Sequence, residues 1–126
     1  MRVGREEYDA AAKTAAKVFE AIIHSDSSMA RDCFLPECCI FGQTGECKNI
    51  GPCANLLRQI DTSKVGSEFN YRVDVVAIED TIALVQVLEN NYNGNYYTVY
   101  LTEMKVDGQW KICSFVYNFN EALSGK

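Results

Sequence analysis

Between two long β-prone runs, Tyr96 to Val106 and Gln109 to Phe119, stands the dipeptide Asp107-Gly108. A two-residue hairpin turn needs positive φ at both central residues, which an Asp-Gly step accepts at low cost. The runs are therefore predicted to be antiparallel neighbours, and a chain carrying so long a hairpin must find a layer to cover its apolar face.

Upstream the same periodicity continues. Phe69, Tyr71, Val73 and Val75 alternate with Asn70, Arg72 and Asp74, the pattern of a strand with one buried and one wet face. Glu79-Asp80 is a turn into a strand from Ile82 to Leu88, closed by the turn cluster Asn90-Asn91-Tyr92-Asn93-Gly94-Asn95. The first half has the other period. From Tyr8 to Ile23 apolar residues fall at Tyr8, Ala12, Ala15, Phe19, Ile22 and Ile23, one stripe of a helix with Lys13, Lys17 and Glu20 opposite. Ser25-Asp26-Ser27-Ser28 breaks it and caps a short second helix through about Phe34, which Pro36 ends. Cys39-Ile40-Phe41 reads as a short strand and Gly42 to Glu46 as a turn. Gly51-Pro52 opens a third helix carrying Leu56, Leu57 and Ile60, with proline at the first helical position, where its missing N–H does no harm.

Three helices and a four-stranded meander predict an α+β fold: a cone-shaped, curved antiparallel sheet with the helices packed in its concave side. Residues 1–126 show no repeat and no linker, so a single domain is expected. A curled sheet closed by a helix leaves a concave apolar interior, a natural place for a small molecule.

Composition narrows the partners. A net charge of −5 disfavours nucleic acid, whose recognition needs clustered Lys and Arg. No apolar run is long enough to span a bilayer, and the N-terminal residues lead into an alanine-rich amphipathic stretch without a signal-type apolar core, so a cytoplasmic protein that does not engage membranes is expected. The six cysteines, Cys33, Cys38, Cys39, Cys47, Cys53 and Cys113, contain no C-x2-C knuckle, so a metal site is not expected and buried thiols are. No cofactor is called for.

Three stretches carry a family resemblance: Ala21-Ile22-Ile23-His24-Ser25-Asp26, Phe34-Leu35-Pro36-Glu37-Cys38-Cys39-Ile40-Phe41-Gly42, and Tyr100-Leu101-Thr102-Glu103-Met104-Lys105-Val106-Asp107-Gly108-Gln109-Trp110-Lys111-Ile112. The chain resembles the nuclear transport factor 2-like superfamily, the cystatin-like fold, and within it the lumazine-binding branch of bacterial proteins near the SnoaL-like polyketide cyclases. That fold hosts enzymes, carriers and dimerisation modules, so the site must carry the function. The ketosteroid isomerases of the superfamily need a general base and two oxyanion donors. Matched without gaps, those positions fall on Gly42, on Val18 or Phe19, and on Thr102. No base is present, so the resemblance does not imply that isomerase. Dehydratases of the scytalone type rely on several histidines, and this chain has only His24.

Alternation and this matching together place Tyr100, Thr102, Met104, Cys113, Phe115, Tyr117 and Phe119 on one face of the last two strands, with Phe19, Phe41 and Tyr71 as further candidates. Such a wall would hold a small apolar or heteroaromatic molecule, pterin-, flavin- or polyketide-like, with Tyr and Thr hydroxyls orienting it. Aromatics at this period in a sheet are core in most proteins, which is the competing reading of the same residues. The opposite face, with Val99, Leu101, Ile112 and Val116, is apolar enough to suggest a homodimer through the outer sheet. Two residues are candidates for catalysis. His24 near a helix C-terminus is expected at the surface, and Glu103 is expected on a solvated face beside Lys105 or Arg72, the other possibility being a buried acid able to act as a general acid or base. The leading expectation is a non-catalytic binding protein. A cyclase, isomerase or dehydratase-type enzyme and a homodimeric interaction module are the alternatives.

Overall fold

The computed structural model describes residues 3–125. A long helix α1 (Arg5–His24) is followed by two 3-10 turns (Ser27–Met29 and Arg31–Cys33), strands β1 (Phe34–Thr44) and β2 (Cys47–Pro52), helix α2 (Ala54–Thr62), and four strands β3 (Asn70–Ile78), β4 (Ile82–Tyr92), β5 (Asn95–Val106) and β6 (Gln109–Phe119). The strands form one curled, open sheet in the order β2-β1-β6-β5-β4-β3. All neighbours are antiparallel except β1 and β6, which run parallel. The helices pack on its concave side, as expected for the α+β class.

Asp107 and Gly108 both adopt positive φ, 52° and 79°, the geometry the sequence requires of them. Asn93 and Gly94 do the same, at 52° and 92°, and close the β4–β5 hairpin. Ser25 ends α1 in the left-handed region, and the Asp26 carboxylate accepts the Ser28 N–H at 3.0 Å to start the next turn.

Several local expectations are corrected. The second helix is two 3-10 turns, and β1 begins at Phe34 and runs on to Thr44. Gly42 lies inside β1, and the reversal is confined to the two residues before β2. Strand β2 has no alternating apolar pattern, because it is an edge strand and mostly exposed. Pro52 therefore ends a strand, and α2 starts after Cys53. On α1 the buried stripe is Ala11, Ala15, Val18, Phe19, Ala21 and Ile22, while Tyr8 and Ile23 are exposed.

A β-bulge in the last hairpin has the largest consequence. Lys105 pairs with Trp110 and Glu103 with Ile112, but Thr102 then pairs with Ser114, leaving Cys113 as the extra residue. A regular ladder would set Thr102 opposite Cys113 and Tyr100 opposite Phe115. The bulge instead sets Leu101 opposite Phe115 and Val99 opposite Tyr117. A one-residue slip exchanges faces, so Val99, Leu101 and Ile112 point into the core while Tyr100, Thr102 and Met104 are exposed on the convex side.

Candidate functional site

The concave side keeps an open cavity of about 320 Å³. Its floor is Phe115 and Tyr117 of β6 and Tyr97 of β5; Ile22 of α1 and Leu56, Gln59 and Ile60 of α2 form the opposite wall. Thr44, Cys47, Lys48 and Asn49, from the β1–β2 hairpin, lie at the mouth, and Glu89 and Tyr92 of β4 close the far side.

The aromatic rings form a continuous surface. Tyr92 meets Tyr97 edge-on at 6.3 Å, Tyr97 meets Tyr117 at 5.5 Å, Tyr117 meets Phe115 at 6.4 Å, and Phe115 stacks on Phe19 at 6.3 Å. Tyr117 can lie flat over β1 only because residue 42 is glycine: a Cβ there would sit 2.1 Å from the ring. The Tyr97 hydroxyl lies 3.3 Å from Thr44 Oγ1 and accepts from Asn95 Nδ2 at 3.4 Å.

Within this apolar lining stands one acid. Ala83, Val85, Val87 and Glu89 are the inward residues of β4, so the alternation that buries two valines buries Glu89 next. Its residue surface is only 6% exposed. Burial alone pushes its carboxyl up to about 7, since no opposite charge or donor from the described residues offsets the loss of water. In register it faces Tyr71 on β3 and Tyr97 on β5. A carboxyl that changes protonation near neutrality inside a cavity can take a proton from a bound molecule and return it.

The family's sequence profile, described as "Putative lumazine-binding", matches residues 6–118. The chain belongs to that family. It is similar to the aldolase FrzH of Cladobotryum sp., with 35% identity over 114 residues, covering 89% of this chain and 90% of that protein. Among solved structures it resembles a nuclear transport factor 2-like protein of unknown function from Methylobacillus flagellatus KT, with a TM-score of 0.86, 18% identity and coverage of 94% and 96% of the two chains. A second one, from Shewanella baltica OS155, has a TM-score of 0.77, 23% identity and coverage of 95% and 98%. The nuclear transport factor 2-like fold expected from the sequence is thus the one found, and the solved structures speak for the fold alone.

Of the family member's sequence-derived candidates, Phe115 and Tyr117 line the cavity. Phe19 is fully buried core. Tyr71 lies against it, ring centroids 5.4 Å apart and tilted by 30°, and donates its hydroxyl to the Glu20 carboxylate; burial, then this bond, pushes its phenol up to about 12. Phe41, Tyr100 and Met104 are exposed on the convex face, and the Thr102 hydroxyl is spent on Ser114 at 2.6 Å. Cys113 is the half-buried bulge residue.

His24 is exposed at the end of α1, with Nδ1 2.9 Å from the Glu20 carbonyl, far from any role in the cavity. Glu103 is not solvated: it is 1% exposed, and neither carboxyl oxygen has a hydrogen-bond partner among the described residues. Burial pushes it up to about 8. It lies between Ala83 and Ile112 and does not line the cavity. Glu89 was missed because the turn-rich asparagines after it end the apparent strand at Leu88; extending the parity of Val85 and Val87 by one step would have found it. No group of side chains suited to a metal ion occurs among the described residues, and no described helix is long and apolar enough to cross a membrane.

Proposed function

We propose that the cavity takes a small, mainly apolar carbonyl compound and that Glu89 is the general base of an aldol-type reaction on it. The carboxylate would remove a proton from the carbon next to the carbonyl, and the resulting enolate carbon would form a bond to a second carbonyl carbon. The new alkoxide then recovers the proton from the Glu89 carboxyl, so the step balances without a cofactor. Tyr97, directly across the strand pair, carries a hydroxyl that could donate to the enolate oxygen. The carrying observation is a buried carboxyl lining an aromatic cavity; the 35% identity to a protein named as an aldolase supports the same chemistry.

A binding-only reading keeps support from the family's description and from the continuous aromatic floor, which suits a flat pterin-like ring. A homodimer is also part of the reading, through a convex face that exposes apolar residues including Phe41, Ile82, Tyr100, Met104 and Val116. A fluorogenic β-hydroxyketone bearing a methoxynaphthyl group tests the chemistry by its reverse cleavage. The protein should accelerate release of the aldehyde, and Glu89→Gln should lower that rate by about a hundredfold or more. Equal rates in the two proteins, with lumazine bound by both, would leave the binding-only reading in place.

A further inference from the structure

Helix α2 forms one wall of the cavity, and its two ends are held unequally. At the C-terminal end the Asp61 carboxylate accepts the Ser27 N–H at 2.8 Å and the Ser27 hydroxyl at 2.9 Å, and the Ser63 hydroxyl donates to the Ile22 carbonyl at 3.1 Å. At the N-terminal end the attachment is Cys53, whose N–H donates to the Cys38 carbonyl at 2.9 Å. The two residues follow directly on the β1–β2 ladder, after the Cys39–Pro52 pair. Both are buried, at 1% and 3% exposure, and the Cys38 thiol donates to the Cys39 carbonyl at 3.8 Å. Hydrogen-bonded partners across an antiparallel pair hold their Cα atoms about 5.5 Å apart, within the range a disulfide spans.

The two sulfurs are not equivalent. Cys53 caps the nine-residue α2, where free backbone N–H groups favour a thiolate. The neighbouring Cys38 lowers the Cys53 thiol, while the neighbouring Cys53, then burial, raises Cys38. A thiolate beside a protonated second thiol is the arrangement of an attacking and a resolving cysteine.

We propose that Cys38 and Cys53 form a redox site, oxidised by a hydroperoxide to an intrachain disulfide that fastens the loose end of α2 to the sheet. The Cys53 thiolate attacks one peroxide oxygen, breaking the O–O bond and leaving Cys53 as a sulfenic acid with release of hydroxide, which takes up the proton lost from the thiol. The Cys38 sulfur then attacks the Cys53 sulfur, and the sulfenic oxygen leaves as water with the Cys38 proton. Two thiols and one hydrogen peroxide give one disulfide and two waters. Both thiols are covered by α2 and the β1–β2 edge, so a small oxidant reaching them through local opening of this short helix fits the site better than a bulky disulfide.

The full chain, treated with hydrogen peroxide, blocked with an alkylating agent and digested, is read by peptide mass spectrometry. A Cys38–Cys53 crosslink is expected as the first bridge to form. In Cys38→Ala, Cys53 should instead be trapped as the dimedone adduct of its sulfenic acid, and in Cys53→Ala neither product should form. Hydrogen–deuterium exchange on the wild type supplies a readout that needs no variant: oxidation should slow amide exchange in residues 54–58 by about tenfold or more and leave β4 unchanged. A first bridge between Cys38 and Cys113, dimedone capture at Cys47 with Cys53 unmodified, or unchanged exchange in α2 would each overturn the proposal.

Discussion

Glu89 of β4 and Tyr97 of β5 are directly opposed in the antiparallel ladder and both line the cavity. Opposed residues on one face of a sheet hold their Cβ atoms about 5 Å apart, so a carboxyl able to take a proton and a phenol able to donate a hydrogen bond stand side by side on rigid strands. The proton chemistry is therefore placed by register rather than by a loop. The pairing persists because the irregularity of β4 lies beyond it: Asn91 takes a positive φ of 58° and Tyr92 re-pairs with Asn95.

The raised carboxyl of Glu89 ties stability to pH. Its folded value, about 7, lies above the ordinary 4.5, so the folded state binds more protons than the unfolded one between those values, and stability falls as pH rises through that window. Glu89→Gln should remove this loss and leave the protein more stable than wild type above pH 7, by about 3 kcal/mol at most. Urea unfolding at pH 5 and pH 8 measures it; an unchanged difference between wild type and variant at the two pH values contradicts the placement of Glu89.

Activity should run opposite to stability. The basic form of Glu89 is the one that accepts a proton, so the rate of β-hydroxyketone cleavage should rise with pH and level off above about 7. Glu89→Asp, which withdraws the carboxyl from the cavity by one methylene, should retain the pH dependence at a lower rate. A profile flat from pH 5 to pH 9 would speak against an acid of this kind.

Glu103 gives a contrasting case. It is sealed in the sheet with no hydrogen-bond partner among the described residues, and its carboxyl is pushed up to about 8. Wild-type stability should continue to fall as pH approaches 8, and Glu103→Met should abolish that further decline and raise stability at pH 9 by roughly 1–3 kcal/mol. Because Glu103 does not line the cavity, the cleavage rate per folded molecule should stay near wild type. Thermal melts across pH 6 to pH 9 decide it, and a variant less stable than wild type at pH 9 would mean that a partner satisfies the charge.

Gly42→Ala tests the cavity floor. The added Cβ would fall 2.1 Å from the Tyr117 ring, so the ring must tilt into the cavity. Overpacking of this sort costs about 1–3 kcal/mol, and lumazine or naphthyl ligands should bind at least several-fold more weakly by tryptophan or ligand fluorescence. Unchanged binding would mean that Tyr117 does not form the floor.

The convex face supplies a test of assembly. Tyr100 and Val116 are cross-strand partners and both are exposed at 42%. If they are the centre of a dimer contact, Val116→Glu should shift sedimentation from dimer to monomer without loss of fold. A wild-type protein that sediments as a monomer contradicts the homodimer.

The architecture was legible where a local rule acts alone. Asp107-Gly108 announces its own turn, and the alternation from Phe69 to Val75 announces its strand. The site was less so, because one extra residue decides it: Cys113 as a bulge moves Tyr100, Thr102 and Met104 to the outside and leaves Phe115 and Tyr117 within. Nothing in the composition of Ile112-Cys113-Ser114 marks that bulge. Glu103 was expected in solvent because a charged residue beside Lys105 is usually solvated, and parity across the same bulge buries it instead. Strand β2 is not legible in the sequence because an edge strand need not alternate.

The most direct measurement of the central claim is deuterium exchange at the methyl carbon of 2-acetylnaphthalene in heavy water, followed by proton NMR with wild type and Glu89→Gln. This isolates proton removal from bond formation. The account predicts that wild type accelerates exchange well above buffer, that the acceleration follows the basic form of Glu89 with pH, and that Glu89→Gln loses it while still binding the ketone. Exchange in Glu89→Gln as fast as in wild type would contradict the account.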